Sequence, residues 1–530
     1  MIEDARGEVE RSRALVWITI VAVVIGVFFR CYAVDRKIYG ADETVSLLRV
    51  AGTTIPLAKR AVASGALHST DDVRDRLEQI GPGSSPFATV RSLVVDDPQH
   101  PPLFYVLLHV WQIFGTSVTA ERSLAVVFAL LLLPASYWCA NQLGGRTAAL
   151  VTLALVAVSP FHVLFAQENR EYSLWAFLTV VASGALLVAL ARGGTWRWAG
   201  YALAAIAGLY TLPLFLYVLV AHGAYVAIRA VRARAFPTSY VVASVVAAIA
   251  YLPWLAVIAT HWQLVVTTTE WNAAALPPQL LLAKWAFEIS GVFFDAEYAR
   301  LALAPLAILA IAIAAAAAIV AVRRMERSAA AFVMLLIAAT ALPLVIPDLI
   351  LHQSRSTAAR YLTSTWIGLE LLVAAGLAIA LGGPRRARTF ALGGVAGLVV
   401  LGTVSLAVSA GRTFWWIDST DAPLLAIAAQ LDAVDRPTLC YAGEPMDVLL
   451  LPHAARRAVA LTSALAPGCL AIASDAQIHD ASPRAHFVLA SGTDRGVDPA
   501  LAGVHAAVSA AHKRAYDPPQ LWRLDHIGAK

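Results

Sequence analysis

Charge is scarce in this chain. Only 14% of the 530 residues are Asp, Glu, Lys or Arg, while 59% are hydrophobic and the mean hydropathy is +0.68. A soluble protein of this length carries far more charge, so the composition excludes that class and indicates an integral membrane protein. The net charge is only +5, and no basic patch predicts a nucleic-acid partner.

Cysteine is equally sparse, since four residues are too few for a disulfide framework. Cys31 and Cys139 lie in or beside apolar runs and are predicted to be packing residues. Cys440 and Cys469 lie in the C-terminal tail and could pair if that tail is extracytoplasmic. A cleavage site is also missing after the first apolar run, residues 14–29, so we expect an uncleaved first helix.

Long apolar runs supply the architecture. A membrane span needs about 20 apolar residues, and the runs of that length predict about eleven transmembrane helices. They begin near residues 14, 119, 147, 173, 198, 214, 239, 301, 330, 362 and 389. The sequence therefore predicts a polytopic α-helical membrane domain over residues 1–412.

Arginine marks every second gap between these runs, and the positive-inside rule assigns such gaps to the cytoplasm. The arginines are Arg11, Arg13, Arg146, Arg192, Arg197, Arg229, Arg232, Arg234, Arg323, Arg324, Arg327, Arg385, Arg386 and Arg388. The N-terminus is then cytoplasmic, in the inner or plasma membrane, and the tail is extracytoplasmic. The apolar stretch 100–115 is too short to span, so we predict a re-entrant or interfacial helix there.

Four loops, 35–118, 164–172, 259–300 and 349–361, and the C-terminal tail are predicted to face outward. The loop 35–118 carries apolar residues at helical spacing and is expected to form helices that lie on the membrane surface. From residue 413 the composition changes: "RPTLCYAG", "HFVLAS" and "LWRLDH" have the composition of short strands, between alanine-rich helical stretches. Residues 413–530 are therefore predicted to be a small soluble α/β domain.

Polar residues concentrate on the predicted outer side. They are Asp42, Glu43 and His100 in the first loop, Gln167, Glu168, Arg170, Glu171 and Tyr172 in "AQENREY", Lys284 in the loop 259–300, and Arg355, Arg360 and Tyr361 in "HQSRSTAARY". Glycosyl transfer from a lipid-phosphate donor uses this mixture of groups. A carboxylate takes the proton of the acceptor hydroxyl, and guanidinium groups stabilise the leaving phosphate.

Four motifs also suggest a family. "ADE" after the first helix, "HPPLFY", "SPFHVLFAQENREY" and the late "RYL" together resemble the GT-C glycosyltransferases, over most of residues 14–410. The nearest group is similar to the protein O-mannosyltransferases and the bacterial aminoarabinose transferases that modify lipid A, family 39-like enzymes. The resemblance implies a polyprenyl-phosphate sugar donor, catalysis on the extracytoplasmic face and inversion at the anomeric carbon.

The resemblance also implies roles for particular residues. Asp42 would be the catalytic base with Glu43 beside it, His100 would lie near the donor phosphate, and Arg360 with Tyr361 would contact the phosphate or the sugar. Gln167, Glu168, Arg170, Tyr172, Arg355 and Lys284 are further candidates for binding the donor. The acceptor, a lipid, glycan or protein, and the identity of the sugar stay open.

Each candidate has a simpler structural explanation. Asp42 and Glu43 suit the first turn of a helix, Glu168, Arg170 and Glu171 suit an ion-pair network, and outer arginines can bind lipid headgroups. Lys284 and Glu288 have the spacing of a pair on one helix face. Asp42 and Glu168 also offer oxygen ligands for Mg²⁺ or Mn²⁺, and a metal is left as an open alternative.

Other functions also stay open at this point. A transporter or flippase of lipid-linked sugar would carry ionisable residues at mid-membrane and internal repeats, and few of either are evident. An oligosaccharide ligase would use the same donor class but rely on arginine and histidine more than on an early acidic pair. A non-catalytic scaffold would leave the outer acids and arginines unexplained.

Overall fold

Apolar helices make up most of the chain. The computed structural model describes residues 2–64, 69–81, 84–270, 275–295, 301–415, 422–433, 438–441, 445–454, 458–463, 486–490 and 520–523. Within these residues, nine helices are long and apolar enough to cross a membrane. Every backbone polar group in a bilayer must be satisfied within the protein, and an α-helix satisfies this requirement by itself.

The helices up to residue 260 are α1 (Ile2–Cys31), α2 (Ala41–Ala51), α3 (Ile55–Ala63), α4 (Thr70–Val73, continued by a π-helical turn at Arg74–Glu78), α5 (Pro86–Asp96), α6 (Leu103–Trp111), α7 (Val118–Val158), α8 (Pro160–Ala166), α9 (Tyr172–Arg192), α10 (Thr195–Leu209), α11 (Phe215–Ala233) and α12 (Thr238–Thr260). Those that follow are α13 (Trp262–Thr269), α14 (Pro278–Phe293), α15 (Ala304–Arg324), α16 (Arg327–Leu351), α17 (Thr363–Leu381) and α18 (Arg385–Ala410).

All eleven predicted spans correspond to helices. Helix α7 contains two of them, because Gly145 has a left-handed φ of 70° and divides its 41 residues. Helix α10 has only 15 residues, and the other predicted spans coincide with long helices. The prediction of a polytopic α-helical membrane protein is therefore confirmed. Helix α6, at 9 residues, has the short length that the sequence predicts for the 100–115 segment.

The tail contains two helices, α19 (Ala422–Asp432) and α20 (Pro445–Ala454), and four strands, β1 (Thr438–Tyr441), β2 (Ala460–Ser463), β3 (His486–Ala490) and β4 (Gln520–Arg523). The strand order is β2-β1-β3-β4; β1 pairs in parallel with β2 and β3, and β4 is antiparallel to β3. This confirms the α/β class of the tail. Strand β2 was not predicted, and Cys469 lies outside the described residues, so the pairing of Cys440 with Cys469 stays a prediction.

The chain divides into two compact units. The first comprises Met1–Val34, Asp97–Phe104 and Thr119–Gly411, and the second comprises Asp35–Asp96, Tyr105–Val118 and Arg412–Lys530. The second unit thus joins most of the loop 35–118 to the tail. Its core is shared by both parts, since Leu48, Val62 and Leu77 from the loop pack in one cluster with Leu439 and Leu449 from the tail. The domain boundaries drawn from the sequence stay a prediction.

One break in the helical unit needs a polar partner from another helix. Helix α7 ends at Val158, just before Ser159 and Pro160, and its last carbonyls have no partner within their own helix. The fully buried Arg30 of α1 donates from Nη2 to the Val156 carbonyl at 2.9 Å and from Nη1 to the Ala157 carbonyl at 2.5 Å. These bonds satisfy backbone groups that the bilayer cannot.

Glycine allows this close approach. An ideal Cβ on Gly26, one turn before Arg30, would lie 2.1 Å from the Ala157 oxygen, so any side chain there would push α1 away from the end of α7. Helix α8 then continues the chain in a new direction and leads into the "AQENREY" turn. The Arg30 contact therefore supports the segment that carries the candidate site.

We expect Arg30→Leu to destabilise the protein, because it leaves the carbonyls of Val156 and Ala157 without donors at a cost of about 1–3 kcal/mol each. Thermal unfolding in nanodiscs measures this as a lower Tm. Arg192→Ala removes an exposed arginine from the end of α9 and is the matched control. Equal Tm values for Arg30→Leu and the control would contradict the capping role.

Candidate functional site

The turn Gln167–Tyr172 is buried along its whole length. It joins α8 to α9, and its polar residues Gln167, Glu168, Asn169, Arg170 and Glu171 are all at most 5% exposed. Charged side chains are rarely buried to this extent unless they are paired. The turn is therefore a preorganised polar cluster rather than a solvated loop.

Glu171 is the centre of this cluster. Its Oε1 lies 3.0 Å from His100 Nδ1 and 3.4 Å from Arg170 Nη2. Burial acts to raise the pKa of the Glu171 carboxyl, but the charge of Arg170 and the contact with His100 outweigh it and lower this pKa to about 2. Glu171 is therefore ionised at physiological pH and holds both partners in place.

Glu171 lies between His100 and Arg170 and contacts both side chains. The pairing with Glu171 fixes the plane of the His100 ring and so the direction of its other nitrogen, Nε2. The Arg170 guanidinium also lies 5.8 Å from the centre of the Tyr172 ring, within cation–π range. Tyr172 itself is buried and packs edge-on against Phe165 at 4.9 Å between ring centres.

Gln167 has a structural duty that the sequence did not predict. Its Nε2 donates to the carbonyls of Phe29 and Tyr32, at 2.7 and 2.9 Å. These carbonyls belong to the end of α1, where helical partners run out. Gln167 therefore ties the turn to α1, and its predicted role in donor binding stays a prediction, as does that of Glu168.

A second candidate segment, residues 352–362, lies between α16 and α17. Asp348, buried at the end of α16, accepts from the backbone N–H of Arg355 at 3.0 Å and of Ser356 at 2.6 Å. Trp285 Nε1 of α14 donates to Ser356 Oγ at 2.8 Å. Asp348 thereby shapes this turn and leaves the Arg355 side chain exposed.

Arg360 and Tyr361 lie in the 3₁₀ turn Ala359–Leu362, immediately before α17. The Arg360 guanidinium lies 5.6 Å from the centre of the Tyr361 ring. Thr363 Oγ1 donates to the Arg360 carbonyl at 2.7 Å, and Trp366 Nε1 donates to the Ala359 carbonyl at 2.9 Å. The backbone that presents Arg360 is therefore held by side chains of the following helix.

Buried polar contacts connect the helices that carry the two segments. His162 of α8 lies 2.9 Å from Glu370 of α17, with both side chains almost fully buried. Thr179 of α9 lies 3.1 Å from Ser364 of α17, and Thr179 is about 10 Å along its helix from Tyr172. The "AQENREY" and "RYL" segments thus lead into helices that are bonded to each other near their starts.

Lys284 and Glu288 lie on one face of α14. Glu288 is 2% exposed, and neither of its carboxylate oxygens has a hydrogen-bond partner within the described part of the chain. Burial raises the pKa of Glu288 well above its ordinary value, Lys284 opposes the rise and Asp348 adds to it. The predicted face pair is present, and a contact of Lys284 with phosphate stays a prediction.

The acidic pair lies in the other unit, at the start of α2. Glu43 is 2% exposed, and its Oε2 accepts from the Gly40 N–H at 3.2 Å, which closes a capping box. Asp42 occupies the preceding position in the first turn and is only half-buried. The helix-start explanation therefore applies to Glu43, and the structure differentiates two acids that the sequence treats alike.

Metal binding has no cluster to support it among the described residues, because no group of three or more His, Cys, Asp or Glu side chains there has the arrangement of a metal site. Asp42 and Glu168, the ligands suggested by the sequence, belong to different units. Magnesium or manganese dependence therefore stays an open alternative.

Together, the helices that are long and apolar enough to cross a membrane and the α/β tail that follows them define a multi-pass membrane protein. The fold that the four motifs predict is confirmed, because the chain shares the fold of the solved ArnT structures described below. No protein-family model matches the chain, and no curated protein matches its sequence.

The solved structures to which the chain is similar include ArnT from Cupriavidus metallidurans. The structure of ArnT bound to undecaprenyl phosphate matches with a TM-score of 0.53 at 13% identity, over 95% of this chain and 97% of that one. The apo structure of ArnT matches with a TM-score of 0.52 at 12% identity, over 96% and 98% of the two chains. The oligosaccharyltransferase AglB from Archaeoglobus fulgidus, in complex with an inhibitory peptide and a dolichol-phosphate, has a TM-score of 0.48 at 12% identity, over 83% and 63%.

Sequence reasoning treated Glu171 as a structural ion-pair partner and did not single out Asp348 or the His162–Glu370 pair. One signal was present in the sequence, because an acid and a histidine inside apolar runs are costly in a membrane and need a reason to be there. Their partners are far away in sequence, so the pairing itself became visible only in the folded chain.

We expect the stability that Glu171 contributes to depend on pH. Its folded pKa of about 2 lies below the ordinary 4.5, so the contribution is complete above pH 4.5 and is lost as pH falls from there towards 2. Glu171→Gln should therefore lower the Tm by several degrees at pH 7, and the difference from wild type should shrink below pH 4.

Thermal unfolding in nanodiscs between pH 7 and pH 3 measures this difference. Asp35→Asn removes an exposed carboxylate from the chain and is the control. A difference between wild type and Glu171→Gln that stays constant over the whole pH range would rule out the ionised Glu171 as the source.

Proposed function

We propose that this protein is a membrane glycosyltransferase that moves a sugar from a polyprenyl-phosphate donor to an acceptor hydroxyl on the extracytoplasmic face, with inversion. The observation that carries the proposal is the fold that 95% of this chain shares with ArnT. The matching ArnT structure is the one bound to undecaprenyl phosphate. Fold alone does not define an activity, so the residues of the site have to supply the chemistry.

The donor phosphate needs cations that stay charged near a membrane. Arginine is suited to this because its planar fork matches phosphate oxygens and keeps its proton. Two candidate guanidinium groups have support within the structure: Arg360 lies in a braced 3₁₀ turn, and Arg170 is held by Glu171. His100 is oriented by the same carboxylate, and Tyr361, Arg355 and Lys284 are additional donor contacts in this proposal.

The reaction needs one base. Asp42 takes the proton from the acceptor hydroxyl while its oxygen attacks the anomeric carbon, and the bond from that carbon to the phosphate oxygen breaks. Polyprenyl phosphate leaves with the bonding electrons, and its charge is stabilised by Arg360 and Arg170. The attack comes from the face opposite the leaving group, which inverts the anomeric configuration.

In this proposal Glu43 helps to position Asp42 and is not itself the base. Its carboxylate closes the capping box at Gly40, which sets the start of α2 and with it the position of Asp42. The arginines at alternate helix ends support a cytoplasmic N-terminus and an extracytoplasmic tail, which puts the acidic pair outside the cell membrane.

Asp42→Asn should reduce turnover at least about 100-fold, since it removes the base, while donor binding stays within about threefold of wild type. The measurement uses radiolabelled polyprenyl-phosphate sugars and protein in nanodiscs, with binding and transfer followed separately. Glu43→Gln is the matched variant at the adjacent position, with a smaller expected loss of turnover because an amide oxygen can still accept from Gly40.

Substantial transfer by Asp42→Asn would overturn the role of Asp42 as base. Failure of the wild-type protein to bind any polyprenyl-phosphate sugar would overturn the donor class. Transport of the donor without its consumption would instead indicate a flippase.

Arg360→Lys should weaken donor binding about tenfold or more, because lysine keeps the charge but loses the bidentate contact with phosphate. A filter-binding titration of the same donor in nanodiscs gives the Kd. Arg192→Lys changes an exposed arginine at the end of α9 and is the control. It should bind the donor as tightly as the wild type does. An unchanged Kd for Arg360→Lys would remove Arg360 from the phosphate site.

A further inference from the structure

The segment Lys37–Tyr39 leads directly into the acidic pair, and each of its three residues contacts the second part of its unit, which begins at Arg412. Lys37 Nζ donates to the Arg412 carbonyl at 3.2 Å and lies 4.1 Å from the centre of the Trp415 ring. The backbone N–H of Ile38 donates to the Thr413 carbonyl at 2.7 Å. The ring of Tyr39 stacks on the imidazole of His453, with 4.4 Å between ring centres.

His453 is itself held in a fixed position. Its Nε2 lies 2.7 Å from Oε2 of Glu78, and both side chains are completely buried. Glu78 belongs to the first loop and His453 to α20 of the tail, so this pair connects the same two parts as the Tyr39 stack. Glu78 Oε1 and His453 Nδ1 have no hydrogen-bond partner among the described residues, so the Nε2–Oε2 contact is the one that satisfies this buried pair, and its loss would leave both side chains buried without a partner.

Tyr39 is three residues from Asp42, and Gly40 between them is the N-cap of α2. The direction of the first turn of α2 therefore depends on where Tyr39 is held. Ile38 and Leu48 add to this dependence, because they lie in the hydrophobic cluster that contains Leu439 and Leu449 of the tail. The tail thus contacts the acidic turn from the chain before it and from the helix after it.

We propose that the C-terminal domain positions the acidic turn for catalysis, and that His453 is the positioning residue through its stack on Tyr39 and its bond to Glu78. The role in catalysis rests on the proposed function, whereas the mechanical part of the proposal does not. Misplacement of a reacting group by about 1 Å costs up to about 100-fold in rate, so a small movement at Tyr39 is sufficient to matter.

The test compares two variants of this contact with one control in full-length protein in nanodiscs. His453→Leu removes the stack and the bond to Glu78, and Tyr39→Leu removes the stack from the other side while the His453–Glu78 pair stays in place. Leu461→Val is the control, because it makes a small cavity in the hydrophobic cluster that also contains Ile38, but leaves the Tyr39–His453 stack and the His453–Glu78 contact in place.

Hydrogen–deuterium exchange of the peptide that covers residues 37–46 is the first readout. We expect both contact variants to raise its exchange rate about tenfold, with the control close to wild type, since local opening follows the loss of local contacts. The kinetic readout is a kcat lowered about 10- to 100-fold, with the donor KM unchanged within about threefold.

Unchanged exchange of residues 37–46 in both contact variants would overturn the proposal, as would an equal rise in Leu461→Val, which would reduce His453 to an ordinary core residue. A rise in KM with unchanged kcat would also overturn it, because the contact would then serve donor binding. Failure of the proposed function is distinguishable: wild type transfers no sugar, while the exchange of residues 37–46 still depends on His453.

Discussion

The helical unit depends on the bond between the Arg30 guanidinium and the end of helix α7. A helix that stops inside an apolar environment leaves carbonyls without donors, and the bilayer offers none. Arg30 supplies them, at Val156 and Ala157, and Gly26 lets the two helices approach closely enough. The chain can then break at Ser159 and start again as α8. Helix α8 then leads into the "AQENREY" turn, where the charged side chains are buried together.

Burial then decides how the charges of that turn behave. In water Glu171, Arg170 and His100 would gain little from each other, whereas a buried carboxylate needs partners to remain ionised. Here the partners outweigh the cost of burial, as the low pKa of Glu171 shows. The result is an arginine and a histidine whose positions are set before any ligand arrives. Preorganisation of this kind reduces what binding has to spend on ordering side chains.

The second unit is held together by one shared hydrophobic core and a buried Glu–His pair. The loop 35–118 contributes short helices that cannot bury an apolar face by themselves, and the tail contributes a four-stranded sheet with its helices. They share one hydrophobic core, and the buried Glu78–His453 pair specifies how they meet. The two acids at the start of α2 have different environments. Glu43 closes the capping box, whereas Asp42 is half-buried at the helix surface. Glu43 thus fixes the start of α2, and the position of Asp42 depends on it.

The sequence by itself determined the membrane spans, the α/β tail and the GT-C resemblance. Hydropathy suffices for these because a bilayer forces each span to satisfy its backbone bonds within itself, so length and composition decide the element. It also located the candidate residues, whose roles as base and phosphate ligands stay predictions. Only the tertiary structure decided which of them have partners. His100 meets Glu171 across 71 positions, Arg30 meets Ala157 across 127, and His453 meets Glu78 across 375. Such contacts depend on how helices pack, and no local pattern encodes the packing of segments so far apart along the chain.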